Sequence, residues 1–184
     1  MDLSAKALLI VFCGFVASAF IRPTACAQVS PFSLDAAGSR WGFSTSKKTH
    51  DFNQAEGFLD WRLPITLDVC TKWHFLSGLE FSAGWLRGRG EDAFITTFSP
   101  CLLVKRDSIP LSLDLGGGLS LLSQEQFGSR DFGTVLQFSS HAGLNFDFGK
   151  HVRLGYRFQH MSNAHLSDYN PGLNLHLFGI SYRF

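Results

Sequence analysis

Four polar residues near the end of the chain have the types and spacing that hydrolytic chemistry needs. His160 and Ser162 are two residues apart, so on an extended strand their side chains point to the same side. A serine hydroxyl is a weak nucleophile that needs an adjacent base, and histidine suits that role. Asn174 could orient the imidazole and Asn163 could help to stabilise an oxyanion. The chemistry that these residue types suggest is ester hydrolysis.

The segments that would carry these residues alternate with period two. In one of them Leu111, Leu113 and Leu115 alternate with Ser112 and Asp114. Eight such segments follow one another beyond residue 35, each about 10–16 residues long, whereas strands of globular proteins are usually about 5–6 residues long. Long strands with one apolar face are typical of barrels that cross a membrane. The sequence therefore predicts an all-β fold, an eight-stranded antiparallel transmembrane β-barrel.

The composition of the chain excludes several other classes. The 184 residues favour one domain. A net charge of +1 provides no basic field for nucleic acid. Hydrophobic residues make up 45% of the chain and charged residues only 17%, which argues against disorder. Beyond the N-terminus no apolar run approaches the roughly 18 residues of a membrane-spanning helix. A soluble barrel with its apolar face inward remains the alternative architecture.

Residues 1–27 have the pattern of a secretory signal peptide. Lys6 precedes an apolar stretch that ends at Phe20, and Ala25-Cys26-Ala27 supplies the small residues of a cleavage site. Residues 28–184 would then form the single barrel domain. An uncleaved anchor, or a lipid attached to the cysteine of that site, are the alternatives. The remaining cysteines, Cys70 and Cys101, form a pair whose oxidation state the sequence leaves open.

The connections between the predicted strands alternate in length, as they do in outer-membrane barrels. Short turns are expected at 64–71, 106–109 and 148–151. Mostly longer outer loops are expected at 47–54, 87–92, 123–131 and 163–171. An even number of strands places both ends of the barrel in the periplasm, and Phe184 supplies a C-terminal aromatic residue. The loop cations, either solvated or available to phosphate groups, are Lys47, Lys48, Arg87, Arg89 and Arg130.

The charged residues of the predicted strands fall on the inner face. A barrel of eight strands has an interior filled by side chains, so a wide pore is disfavoured. We expect these charges to pair with one another inside the barrel: Arg40, Arg62, Glu80, Asp114, Arg153 and Arg157. His74 and His141 also fall on this face and are expected to form hydrogen bonds there.

Three of the candidate residues, together with His176, fall on the outer face by parity. His160 and Ser162 continue the lipid-facing row of the seventh strand, and Asn174 and His176 continue that of the eighth. The hairpin between the two strands brings these polar side chains together at the outer rim. They would then lie where the acyl chains of outer-leaflet glycolipids begin.

The stretch His160-Met161-Ser162-Asn163-Ala164, followed by Asn170-Pro171-Gly172-Leu173-Asn174, resembles the lipid A 3-O-deacylase (PagL) family, also called acyloxyacyl hydrolase-like. The resemblance implies an eight-stranded barrel in the outer membrane that removes an ester-linked acyl chain from the lipid A of lipopolysaccharide. It implies that Ser162 is the nucleophile, that His160 is the general base and that Asn163 contributes to the oxyanion hole. No cofactor and no metal are implied.

The sequence departs from the family pattern at two positions. The best-known members have Glu where this chain has Asn174. An Asn can orient an imidazole through its carbonyl, as in Cys-His-Asn hydrolases, but it supplies no negative charge. Asp168 in the neighbouring loop is the alternative orienting group, and an inactive site is a further one. His165 also stands where a small residue is expected.

The implied partners are lipopolysaccharide and the lipids of the outer membrane, and a homodimer is left open. The rival interpretation is a non-catalytic barrel with a structural, adhesin-like or small-channel role. It would have the same fold, so mass spectrometry of lipid A from cells with and without the protein is needed to separate the two.

Overall fold

The computed structural model describes residues 32–45, 51–69 and 72–184, without the side chains of residues 66–69. Both the predicted signal peptide and Cys70 therefore lie outside the described residues. No helix in the described ranges is long and apolar enough to cross a membrane.

Eight long antiparallel strands close into a barrel. Every strand pairs with its neighbour in the chain, and the first strand closes the barrel against the last. The strands are β1 (Ser33–Phe43), β2 (Asn53–Val69), β3 (Trp73–Gly88), β4 (Glu91–Arg106), β5 (Leu111–Leu122), β8 (Leu136–Phe148), β9 (Val152–Ser162) and β10 (Leu173–Arg183). Between β5 and β8 lies a small hairpin of β6 (Gln126–Phe127) and β7 (Arg130–Asp131). The predicted eight-stranded antiparallel barrel is confirmed.

Alternation along the strands sorts side chains between lipid and lumen. In β5 the exposed residues Leu111, Leu113 and Leu119 alternate with the buried Ser112 and Asp114. The apolar surface that a soluble protein would bury therefore faces outward. Aromatic residues dominate parts of this surface, including Trp41, Trp85, Phe94, Phe98, Phe178 and Tyr182.

Buried ion pairs fill the middle of the lumen, as predicted. Glu80 accepts hydrogen bonds from Arg40, with Nη1 at 3.0 Å, and from both terminal nitrogens of Arg157, at 2.7 and 2.8 Å. Arg157 also donates to Asp114 at 2.8 Å, and Arg40 donates to Glu56. Two arginines thus share one carboxylate, so the network stays balanced only while that carboxylate is charged.

The outer end of the lumen is apolar, which the sequence pattern did not predict. Phe52, Phe127 and Phe132 are fully buried there, and their ring centroids are 5.4–5.7 Å apart in edge-to-face pairs. They pack in one cluster with inward-facing residues of the strands, among them Leu86, Ile95, Leu122, Met161 and Leu175. We call this cluster the lumen cap, because it closes the interior at the end that bears the longer loops.

Three sequence-based boundaries were wrong. Residues 64–69 belong to β2 rather than to a turn, and the predicted loop 87–92 is reduced to the turn at Arg89 and Gly90 between β3 and β4. The loop predicted at 123–131 extends to residue 135, because β8 begins at Leu136, and Phe132 lies in the lumen cap. Apolar residues of this loop continue the alternation of β8, so the pattern alone does not mark where the strand begins.

Candidate functional site

His160 and Asn174 are held together by strand pairing. They are direct partners in the register of β9 with β10, and both side chains point outward, Asn174 exposed and His160 half-buried. The Nδ1 atom of His160 lies 2.7 Å from the Oδ1 atom of Asn174. Because an amide oxygen only accepts, Nδ1 carries the proton and donates it. In the neutral imidazole the other ring nitrogen, Nε2, then carries the lone pair and can act as a base.

Ser162 lies on the same outward face, two residues further towards the outer rim. Its side chain is half-buried, and its Cα lies about 7 Å along the strand from that of His160, as two residues of extended chain require. Within residues 72–184, all of which are described, no hydrogen bond joins Ser162 to His160. Catalytic hydrogen bonds are often formed only when substrate is bound. The arrangement therefore provides a nucleophile and a base on one face but not a preformed contact.

A second serine flanks the imidazole from the other side, and sequence reasoning missed it. Ser140 is the register partner of His160 in the pairing of β8 with β9, and its side chain also faces outward. Directly opposed residues of antiparallel strands have Cβ atoms about 4.5–5.5 Å apart. Parity on β8 together with the register of the strands could have found this residue. Chemically, Ser140 is a competing candidate for the nucleophile.

Asn163 is fully buried, and its side chain holds the loop that follows β9. Its Nδ2 atom donates to the carbonyl oxygens of Phe132 at 2.9 Å and of Tyr169 at 2.8 Å, and its Oδ1 atom accepts from the backbone of His165 at 2.9 Å. Both amide protons are therefore used in this conformation. The predicted contribution of Asn163 to an oxyanion hole stays a prediction, and the contacts favour an indirect one, through the shape of the loop.

The loop between β9 and β10 contains the two other residues that the sequence singled out. Asp168 is exposed, and within residues 72–184 no hydrogen bond or ion pair joins it to His160. His165 adopts a φ of 67° and Ala164 a φ of 50°, a left-handed conformation that glycine adopts more readily. The backbone at His165 thus has the conformation that suits the small residue expected there.

A second group of polar side chains lies below His160 and Asn174 on the lipid-facing surface. His176 is two residues from Asn174 on β10, and its ring joins two hydroxyls: Tyr156 at 2.8 Å from Nδ1 and Thr45 at 3.2 Å from Nε2. A neutral imidazole has one donor and one acceptor, so each ring nitrogen has a partner. The sequence indicated His176 but not Thr45, which lies beyond β1. These contacts satisfy polar groups that would otherwise be costly in lipid.

The sequence is similar to a known protein family and to one named protein. The profile of the family described as lipid A 3-O-deacylase (PagL) matches residues 55–183. The lipid A deacylase PagL of Bordetella bronchiseptica (strain ATCC BAA-588 / NCTC 13252 / RB50) is 33% identical over 72 residues, which cover 39% of this chain and 40% of that protein.

Two solved structures resemble the barrel. The crystal structure of the outer membrane enzyme PagL superposes with a TM-score of 0.69 at 16% identity, covering 79% of this chain and 97% of that one. Neisserial surface protein A superposes with a TM-score of 0.50 at 13% identity, covering 84% and 98%. At these identities the likeness concerns the fold alone.

Proposed function

Because the chain belongs to the lipid A 3-O-deacylase (PagL) family, an outer-membrane barrel family, we propose that it is a serine esterase that removes an ester-linked acyl chain from lipid A. The observation that carries the proposal is the hydrogen bond between His160 and Asn174, 2.7 Å long, on the outward face that also bears Ser162. This hydrogen bond would orient the base before substrate binds.

The reaction would proceed in two steps. Ser162 Oγ attacks the ester carbonyl carbon while His160 Nε2 takes the hydroxyl proton. The tetrahedral intermediate then collapses, the bond to the sugar oxygen breaks, and the imidazolium protonates that oxygen. In the second step His160 removes a proton from water, the resulting nucleophile attacks the acyl-serine, and a fatty acid leaves as Ser162 regains its proton. The products are a free fatty acid and a sugar hydroxyl.

Asn174 would take the place of the Glu found in the best-known family members. It would orient the imidazole of His160 but supply no negative charge. Its carbonyl holds the proton on Nδ1, so the lone pair of His160 is on Nε2, where the serine proton must go. An uncharged partner stabilises the imidazolium less than a carboxylate does. We therefore expect an active enzyme that is slower than one with a carboxylate at this position.

The position of the site suits a substrate that stays in the membrane. Apart from the polar group around His176, the rows below it on β9 and β10 are apolar and exposed, with Phe158, Phe178 and Ile180 among them. A glycolipid could therefore keep its acyl chains in the leaflet while its ester linkage meets His160 and Ser162. The partner is accordingly an outer-leaflet lipid, and a homodimer stays a prediction.

Mass spectrometry of lipid A tests the proposal. Cells that express the chain should contain lipid A lighter by one acyl chain, and cells that express Ser162→Ala or His160→Ala should not, because nucleophile and base act as a unit. Heat-modifiable gel mobility would show that all three barrels are folded. Unchanged lipid A in cells with folded wild-type protein would favour the rival, a structural or adhesin-like barrel.

A further inference from the structure

The outer loop between β5 and β8 packs against the hairpin between β9 and β10. We call residues 123–135 the clasp loop and residues 163–172 the site hairpin. The Nη2 atom of Arg130, in the clasp loop, donates to the carbonyl oxygens of Gly172 at 2.5 Å and of Pro171 at 3.3 Å. These bonds span more than forty positions of sequence. They act on the last residues before β10, two positions ahead of Asn174.

Arg130 is itself held in place by the lumen cap. Its guanidinium carbon lies 5.5 Å from the ring centre of Phe132 and 5.9 Å from that of Phe52, both of which are fully buried. A planar guanidinium can stack on rings and bridge two carbonyls at once, which a lysine ammonium cannot do equally well. Partial burial lowers the pKa of Arg130 from its ordinary value. The guanidinium of Arg130 therefore binds groups of the protein itself. The sequence pattern had left it available to a phosphate group instead.

The carbonyl that Arg130 holds belongs to a residue that lies beside the proposed base. Gly172 has a φ of +60°, and a Cβ atom there would lie 3.2 Å from Cε1 of His160. The backbone of Gly172 thus packs beside the imidazole ring. Any shift of this backbone would move both a wall of the His160 site and the start of the strand that presents Asn174.

Two further contacts join the same segments. The buried amide of Asn163 donates to the carbonyl of Phe132 in the clasp loop. Gly133 has a φ of +78°, and a Cβ atom there would lie 2.6 Å from the carbonyl oxygen of Tyr169 and 2.7 Å from Oγ of Ser167. Clasp loop and site hairpin therefore touch along their length, and Arg130 supplies the charged contact nearest to His160.

We propose that Arg130 is a positioning residue of the esterase site: by holding the carbonyls of Pro171 and Gly172 it keeps Asn174 and His160 in hydrogen-bonding register. The inference rests on the proposed hydrolysis and adds a residue outside the motif that carries it. Arg130 touches neither the substrate nor the reacting atoms and acts through Asn174 and His160. Its contribution should thus appear in the rate of the chemical step and not in the binding of an anionic lipid.

Kinetics on a neutral, soluble short-chain ester separate positioning from phosphate binding. With Arg130→Gln we expect kcat per folded barrel to fall about 10–100-fold with KM nearly unchanged, because misplacement of a catalytic group by about 1 Å has effects of this size. Arg130→Lys should recover only part of the loss, although it keeps the charge. The matched control is Arg106→Gln at the other end of the barrel, where the guanidinium also stacks on a ring, that of Trp73. It should behave like the wild type.

A double-mutant cycle distinguishes positioning from general loosening of the fold. If Arg130 acts through the His160–Asn174 bond, Arg130→Gln should have little further effect in an Asn174→Ala background. The inference would be overturned if the losses of kcat from Arg130→Gln and Asn174→Ala multiply in full in the double variant. It would also be overturned if the Arg130→Gln enzyme is as fast as an active wild type. A folded wild type that hydrolyses neither this ester nor lipid A would instead remove the proposed function, and the inference with it.

Discussion

The Nδ1 atom of His160 and the Oδ1 atom of Asn174 lie 2.7 Å apart on neighbouring strands. This single contact fixes the tautomer of the imidazole and leaves Nε2 free to accept a proton. The pairing of β9 with β10 places the two residues opposite each other, and the proposed role of Arg130 is to hold the start of β10 in that register.

Removing the amide should slow the reaction without abolishing it. In Asn174→Ala the base remains but is no longer oriented, so we expect kcat to fall about 10–1,000-fold. Asp168→Ala is the matched control, since Asp168 is exposed and has no described contact with His160. It should retain nearly full activity, as measured by fatty-acid release from lipid A in vesicles. The reverse pattern would assign the orienting role to the loop carboxylate.

Replacing the amide by a carboxylate of the same shape should change the pH dependence. In Asn174→Asp the negative charge stabilises the protonated imidazole, so loss of the neutral base on acidification would begin at a higher pH. We expect the acidic limb of the kcat/KM profile to move upward in pH, with equal or greater activity on its alkaline side. An acidic limb that stays where it is in the wild type would show that this residue does not contact the base during the reaction.

The charge of Glu80 should be essential to the stability of the barrel. Glu80→Gln leaves Arg40 and Arg157 facing each other without the shared carboxylate, and breaking such a buried network costs about 3–5 kcal/mol. Urea unfolding of the barrel refolded into lipid vesicles measures the change. Asp92→Asn, which breaks the exposed pair with Arg87, should cost less than about 1 kcal/mol. Equal effects of the two changes would contradict the buried network.

The lumen cap should prevent ion conduction. Fully buried rings and aliphatic side chains fill the outer end of the interior, and ion pairs fill its middle. Planar-bilayer recordings of the purified barrel should therefore show no stable open level. A reproducible open conductance level with the wild type would show that the lumen cap does not close the interior, and it would favour a channel function.

How well the sequence predicts a feature of this structure depends on how far apart in the sequence the interacting residues lie. Period-two alternation is local, so it was enough to predict eight strands, their faces and the outward placement of His160, Ser162 and Asn174. The opposition of Ser140 and His160 depends on register, which no single strand specifies. The contacts of Arg130 with the site hairpin join segments about forty residues apart, and no local sequence pattern predicts them.

The identity of the reactive serine is the most direct test of the account. Ser162 and Ser140 both flank His160, and trypsin would place them in different peptides, residues 158–183 and 131–150. After treatment of the folded barrel with a fluorophosphonate, peptide mapping by mass spectrometry should find one adduct, on Ser162, and none in His160→Ala. An adduct on Ser140, or a folded wild type that takes up no reagent, would contradict the assignment of Ser162 as the nucleophile.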